Sequence, residues 1–440
     1  MNFFLFFAVP LLGYSLHNFH RAFLWYFLFR IVINEFVPFF IIDGFPIIRM
    51  GFFCDFWFIL LTVLKYIKKN GSFKMPRIKP EIRPFIWMVL LIMLSSAMSF
   101  LPFFNSMSCA ALECITSYLF PLLFVTQVKR TKDLQFIITG LMIVCVIAAI
   151  YGIIEAFVFR YTNPLVVYEQ FLNPNIKEAT WVYDAFDRGG RGRVSSFFSH
   201  AIGCGCTMSI FTVFFFYIKV AHEKYIVSNK LFYVAIFSAV LLMGLSNSRS
   251  PYPMLLISFL AFWKSKLFLK LVAAGMILLV IFHTELSSFI DLFLSIFDKK
   301  IESSMGGGSN IEMRMKQFEA LFRAWNSGNP IIGEGAYATR YWLGKKIGLL
   351  GGESIWISLL LNTGLLGCFL YLYIMKNLIS FSRVHGKRML FFFVVGWVVM
   401  NSATSTPGLD VSLFFMIAFC IAKLDMLNES CFEKACYENS

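Results

Sequence analysis

The sequence predicts an all-α, polytopic integral membrane protein with about 12 or 13 transmembrane helices, and three observations carry that reading. First, 58% of the 440 residues are hydrophobic and only 15% are charged, where soluble domains are about a quarter charged. The mean hydropathy is +0.72. Second, the apolar residues gather into segments close to the roughly 20 residues that cross a bilayer as a helix. Third, the charge between those segments alternates in character along the chain. This composition excludes an ordinary soluble enzyme, and the 54 Phe, 17 Tyr and 9 Trp exclude a disordered chain.

In chain order, a short stretch at 3–16 reads as a partial or tilted crossing. Spans follow at 22–42, 50–64, 84–104, 109–128, 134–158, 196–218, 231–248, 251–265, 267–284, 355–375, 389–403 and 409–422. The segment 65–83 holds seven basic residues against one acid, Glu81, and marks a cytoplasmic loop by the positive-inside rule. Every second turn after it repeats the pattern: Lys129, Arg130 and Lys132; Lys219, Lys224 and Lys230; Lys264, Lys266 and Lys270; Lys376, Arg383, Lys387 and Arg388. These five loops carry 20 basic residues against three acids, whereas 159–195 carries five basic and four acidic residues and 285–354 eight of each. The formal charge of +14 is therefore read as topology, with no nucleic-acid partner. The whole of 1–440 is expected to be one membrane domain with a cytoplasmic tail at 423–440. The first stretch lacks a basic leader and a small-residue cleavage site, so it is not expected to be a cleaved signal. The ten Cys are scattered without metal-ligand spacing and read as packing residues; no metal or cofactor is expected.

Two loops on the side opposite the basic turns hold the informative chemistry. The first, 159–195, ends in Arg191-Gly192-Arg193 at the start of a span. Guanidinium groups fork onto phosphate oxygens and glycines let the backbone come close, so this is a candidate pyrophosphate clamp; an anchor for lipid headgroups fits equally well. The second, 285–354, contains Ile311, Met315, Phe318, Phe322 and Trp325 at helical spacing, which predicts an amphipathic helix lying on the surface or roofing a cavity. Arg314 and Arg323 flank that stripe, and Glu319 is placed to form an ordinary i,i+4 pair with Arg323. Between the loops, Arg249 sits among Ser246, Asn247, Ser248 and Ser250 at a helix break. An arginine against hydrocarbon is costly unless it pairs or lines a wet cavity.

The order of these pieces resembles a known family. An Arg-rich loop runs into a span at 191–205, followed by Ser248-Arg249. A large loop then reads Arg314, Trp325 and Pro330-Ile331-Ile332-Gly333-Glu334-Gly335, and Glu353-Ser354 precedes Leu361-Asn362-Thr363-Gly364-Leu365-Leu366-Gly367. This is similar to the O-antigen ligase/polymerase superfamily, comprising Wzy-type polymerases and WaaL-type ligases. The resemblance covers about 134–375 by motif. It implies a GT-C-like, inverting, metal-independent glycosyltransferase of the bacterial inner membrane, facing the periplasm. The implied substrate is an undecaprenyl-pyrophosphate-linked glycan held among membrane lipid, and a chain-length regulator protein is a candidate partner. Arg191, Arg193, Arg249, Arg314 and Arg323 are the candidate pyrophosphate ligands. Family ligases carry a His-Asn pair where this chain reads Gly351-Gly352-Glu353-Ser354, a departure that favours polymerase over ligase. Glu353 is the candidate general base, and a helix-capping carboxylate is its plainer alternative.

The leading reading is thus a polymerase joining lipid-linked repeat units into O-antigen (lipopolysaccharide) or capsular polysaccharide. A ligase moving finished glycan to an acceptor is the alternative within the family. A polysaccharide flippase or other transporter is the alternative from another class. It would use ionisable residues inside spans, and Arg30, Glu35, Glu113 and Glu155 are such residues.

Overall fold

A computed structural model of the chain describes residues 4–33, 38–40, 48–70, 82–165, 187–188, 191–198, 200–266, 268–269, 311–344, 354–382, 384–404 and 409–438. The described chain is almost entirely helical. Helices α1 (Leu5–His17) and α2 (Phe19–Val32) are followed by a short hairpin of β1 (Pro38–Phe40) and β2 (Ile48–Arg49). Next come α3 (Met50–Asn70), α4 (Arg83–Ala97), α5 (Phe103–Glu113), α6 (Phe120–Gln127) and α7 (Thr131–Phe157). A second hairpin pairs β3 (Asp187–Arg188) with β4 (Arg191–Gly192). The remainder is α8 (Ala201–Ala221), α9 (Asn229–Leu245), α10 (Pro251–Phe259), α11 (Ile311–Ser327), α12 (Ala338–Gly344), α13 (Ile355–Phe381), α14 (Val384–Ala403) and α15 (Leu409–Glu438). Among the described residues five helices are long and apolar enough to cross a membrane: Met50–Lys69, Phe103–Gln127, Thr131–Phe157, Ala201–Ala221 and Ile355–Phe381.

Local chemistry explains several boundaries. The Asn18 side chain accepts from Arg21 N–H and starts α2 after α1 has ended at His17. Ser228 caps α9 and Ser354 caps α13 by accepting from Leu231 N–H and Trp356 N–H. Pro84, Pro121 and Pro251 stand in first turns, where a missing N–H costs nothing. Several expected spans are corrected. The span read at 22–42 is a helix that ends at Val32, and Pro38–Phe40 is a strand, β1. The span at 84–104 stops at Ala97, and Pro102 opens the next helix at Phe103. The span at 196–218 becomes helical at Ala201: Ser196 has a left-handed backbone, φ 53°, and the extended His200 is the N-cap. The span at 409–422 is the first part of a longer helix, α15, which continues to Glu438. The span at 267–284 and most of the loop at 285–354 before Ile311 lie outside the described residues.

Two helices form the interior. Nearly every residue of α8 from Cys204 to Ile218 is buried, as are 412–425 of α15; a helix apolar on all sides belongs at the centre of its bundle. Around them α7 packs on α9, α10 on α14, and α13 on α4. The outward faces of α7 and α9 present Ile143, Ile147, Ile150, Phe157, Tyr233, Val234 and Phe237. Such a surface suits lipid rather than water.

Two buried clusters tie helices together through paired polar groups. Arg30 donates from Nε and Nη2 to the Asp55 carboxylate at 2.9 Å each and also reaches the Thr116 carbonyl at 3.1 Å. Tyr26 OH adds 2.6 Å to the same carboxylate, and the guanidinium lies 4.7 Å from the Phe120 ring centroid. Thr116 belongs to a π-helical turn, Cys114–Leu119, and such turns leave a carbonyl open to outside donors. At the C-terminal end of α8, Asp425 accepts from Tyr217 at 2.5 Å and Ser382 at 2.6 Å, with His222 Nε2 3.1 Å away. Lys423 Nζ donates to the Val125 and Val128 carbonyls and so closes the C-terminal end of α6.

Asp55→Ala would strand the buried Arg30 charge and is expected to lower stability by about 3–5 kcal/mol, while an apolar double replacement such as Arg30→Met with Asp55→Leu is expected to lower it far less. Thermal unfolding in one detergent checks both. Equal losses in the two variants would mean that the pair itself, not the uncompensated charge, carries the stability.

Candidate functional site

The Arg-rich loop and the Ser-Arg turn, 53 residues apart in sequence, meet in space. Arg193 is 6% exposed, and its Nε donates to the Ser246 carbonyl at 3.4 Å. The contact is reinforced on both sides: Val194 N–H donates to the Leu245 carbonyl at 3.1 Å, and Asn247 Nδ2 reaches the Gly192 carbonyl at 3.5 Å. The turn that carries Arg249 therefore lies directly against the strand that carries Arg191. Arg249 itself is half-buried, at the start of α10. Of Arg191 the structure describes only the backbone, in β4 paired with Arg188. Asn247 holds a left-handed conformation, φ 50°, that lets α9 turn sharply into α10. His200, on the apolar stretch after the cluster, caps α8: its Nδ1 accepts from Ile202 N–H at 3.0 Å, within electrostatic reach of Arg193.

The second group of motifs forms a clasp. Helix α13 is broken at Gly364, whose φ of 63° and ψ of −163° are not helical. A break in an apolar helix frees carbonyls before it and N–H groups after it, and hydrocarbon offers them no partner. The 330–335 segment supplies four of the partners. Glu334 N–H donates to the Leu361 carbonyl at 2.8 Å and Gly335 N–H to the Asn362 carbonyl at 3.0 Å; Leu365 and Leu366 N–H donate to the Pro330 and Ile331 carbonyls at 3.0 Å each. Backbone comes so close to backbone that a Cβ on Gly333 would stand 2.5 Å from Asn362 C, and one on Gly364 2.4 Å from Ile331 O. Both glycines also have positive φ. The Asn362 side chain accepts from Thr339 N–H and Oγ1, and Asn329 Oδ1 accepts from Ile331 and Ile332 N–H. Ser99 donates to the Glu334 carbonyl at 2.5 Å, and Ser96 Oγ accepts from Ala336 N–H at 2.9 Å, so α4 is tied into the same clasp.

Arg314 and Arg323 lie on α11, which packs on α13. The buried face of α11 is Gln317, Ala320, Leu321 and Ala324, not the expected stripe. Met315 is 62% and Phe322 48% exposed, whereas Phe318 and Trp325 are half-buried. The two alanines let the helices approach closely, which turns the bulkier residues outward. Arg323 is exposed and sits 3.8 Å from Glu319 as a surface i,i+4 pair, an arrangement worth only about 0.3–0.5 kcal/mol. Arg314 is half-buried in the first turns of the helix.

Glu353 lies outside the described residues. Its neighbour Ser354 caps α13, its Oγ accepting from Trp356 N–H at 3.4 Å. The buried acid of this region is Glu334, which lies within the Gly333-Glu334-Gly335 motif. Its Oε2 accepts from Trp342 Nε1 at 2.9 Å while Oε1, packed onto Gly328, has no partner. Burial pushes its carboxyl above the ordinary glutamate value, against the lowering influence of the Trp342 hydrogen bond. The signal for the clasp was present in the sequence: Asn362 and Gly364 are a polar residue and a helix breaker in an otherwise apolar span. Among the described residues no group of three His, Cys, Asp or Glu side chains is placed to hold a metal ion.

Gly333→Ala and Gly364→Ala are each expected to destabilise by about 2–4 kcal/mol through left-handed strain and backbone clash. Gly13→Ala, on an open helix face with nothing within 4 Å, is the control and is expected to be neutral or slightly stabilising. For Glu334, a raised folded-state pKa means the native protein holds the proton more tightly than the unfolded chain. Its contribution is complete below about 4.5 and is lost as pH rises from there through the folded value. Unfolding midpoints across pH 4–8 are expected to show that loss in the intact protein and not in Glu334→Gln. No protein-family model matches this chain, and no curated protein matches it.

Proposed function

We propose that the chain is a membrane glycosyltransferase that polymerises undecaprenyl-pyrophosphate-linked repeat units into O-antigen or capsular polysaccharide. In this reading it is a GT-C-like protein of 12 or 13 spans in the bacterial inner membrane, working at the periplasmic face. The observation that carries the proposal is the meeting of Arg193 with the turn bearing Arg249, which collects arginines from distant parts of the chain at one end of the bundle. A glycosyl pyrophosphate already contains a good leaving group. What the transfer needs is neutralisation of the charge that builds on the departing pyrophosphate, and a buried guanidinium supplies more of this than an exposed one.

The step itself is a displacement at the anomeric carbon of the lipid-linked donor. The acceptor hydroxyl forms the new C–O bond as the bond to pyrophosphate oxygen breaks, the lipid pyrophosphate leaves with the electron pair, and a base takes the hydroxyl proton. Arg191, Arg193 and Arg249 hold the pyrophosphate, with Arg314 of α11 as an auxiliary cation; Glu353 is the base assigned in this reading. The exposed Arg323, already paired with Glu319, contributes least.

A deletion strain, examined by gel for surface and lipid-linked glycan, tests the reading. Single repeat units on the final acceptor are expected, with polymer restored by the intact protein and not by Arg193→Ala or Arg249→Ala at normal protein levels. Polymer stranded on the carrier lipid would instead identify a ligase, and lipid-linked units confined to the cytoplasmic side a flippase.

A further inference from the structure

Glu155 is fully buried near the end of α7. A carboxylate within an apolar helix is by default a candidate for ion or proton transfer, but the hydrogen bonds here give it another role. Oε1 accepts from Ser195 N–H at 3.0 Å and Ser195 Oγ at 3.3 Å; Oε2 accepts from Ser196 N–H at 2.7 Å and Asn163 Nδ2 at 3.3 Å. Two successive backbone N–H groups thus close on the two oxygens of one carboxylate. Hydrogen bonds to an ionised acceptor are about twice as strong as neutral ones.

The segment held in this way is strained. Ser196 sits at φ 53°, a conformation that costs a non-glycine residue on the order of 1–3 kcal/mol and persists only where its surroundings enforce it. Its Oγ is engaged too, donating to the Ala148 carbonyl at 2.8 Å. Asn163 braces the same turn, with Nδ2 at 2.7 Å from Ser195 Oγ and 2.6 Å from the Ser196 carbonyl, while its Oδ1 accepts from Leu165 N–H at 2.9 Å and Tyr151 OH at 3.0 Å. Asn163 opens the first long loop and Ser195 ends it, so one network pins both ends of the loop to α7. Arg193 stands two residues before the pinned turn, and Val194 between them is tied to Leu245. The guanidinium is therefore fixed from one side by the Glu155 turn and from the other by the Ser246 carbonyl.

We infer that Glu155 is a positioning residue for the arginine grip: through Ser195 and Ser196 it sets where Arg193 meets a lipid-linked pyrophosphate. The inference rests on the proposed pyrophosphate function. It excludes Glu155 from proton transfer and from contact with substrate.

The test uses purified full-length protein in detergent, titrated separately with a polyprenyl pyrophosphate and the matching polyprenyl monophosphate. The ratio of the two dissociation constants is the readout, because a merely structural role would lower stability without altering that ratio. The intact protein is expected to prefer the pyrophosphate. Glu155→Gln turns an amide NH2 towards one of the two N–H groups, and is expected to weaken pyrophosphate binding by roughly tenfold to a hundredfold, the scale of a 1 Å misplacement, and to narrow the ratio. Ser196→Gly keeps both N–H donors and relieves the positive φ, so it is expected to retain the intact ratio. If Glu155→Gln does not accumulate as monodisperse protein, Asn163→Ala loosens the same turn and is read in the same way. A Glu155→Gln or Asn163→Ala protein that discriminates as the intact one does overturns this inference alone. An intact protein that binds both lipids equally overturns the pyrophosphate reading and this inference with it.

Discussion

The architecture depends on how a broken helix in an apolar bundle satisfies its backbone. Where α13 departs from helical geometry at Gly364, the Leu361 and Asn362 carbonyls and the Leu365 and Leu366 N–H groups lose their own helix as partner, and each unsatisfied group in hydrocarbon would cost several kcal/mol. All four are taken up by the 330–335 segment. That requirement pulls the segment down between α4 and α13 and seats α11 against the first half of α13 through Ala320, Leu321 and Ala324. It also brings α12 over the junction, where Trp342 binds Glu334 and Thr339 binds Asn362. A part of the chain that composition marks as loop is thereby made as much a part of the bundle as the helices are.

The same economy of backbone hydrogen bonds governs the arginine site. Its turn is left-handed at a serine, a conformation the residue would not choose, and it is held by a carboxylate from the end of α7 and an asparagine just beyond it. At the opposite end of the bundle, by contrast, polar groups serve to tie helices together: Asp425 joins α15 to α8 and to the end of α13, and Lys423 caps α6. Among the described residues the non-glycine positions with left-handed backbone, Arg160, Tyr161, Ser196 and Asn247, all lie in or beside the segments that meet at this site, as expected of sites that trade local stability for preorganisation.

Several elements were legible in the residues. The stretch from Ile311 to Trp325 is helical, as its 3.6-residue period predicts, because periodicity is a property of the backbone alone. Which face that helix buries was not legible. The large apolar stripe of Met315 and Phe322 faces out because the partner helix accepts two alanines at closer range, and the shape of the partner appears nowhere in the sequence of α11. Likewise Arg323 and Arg193 are equivalent as letters beside a span. One ends in an exposed i,i+4 pair and the other is buried against the 246 carbonyl, a difference set by residues more than fifty positions away. Glu155 read as a possible transport carboxylate because its spacing along α7 says nothing about the turn at 195–196 that folds back onto it.

The sequence by itself determined the class of protein and the rough order of its helices. Bilayer-length apolar segments and their flanking charges act through hydrophobicity and length, which are local quantities. Tertiary structure alone decided where the helices stop, which glycines are backbone contacts, and which charged residues meet. Those outcomes depend on pairing buried backbone and buried charge across long stretches of chain, and a buried polar group finds its partner by geometry in three dimensions rather than by position along the sequence.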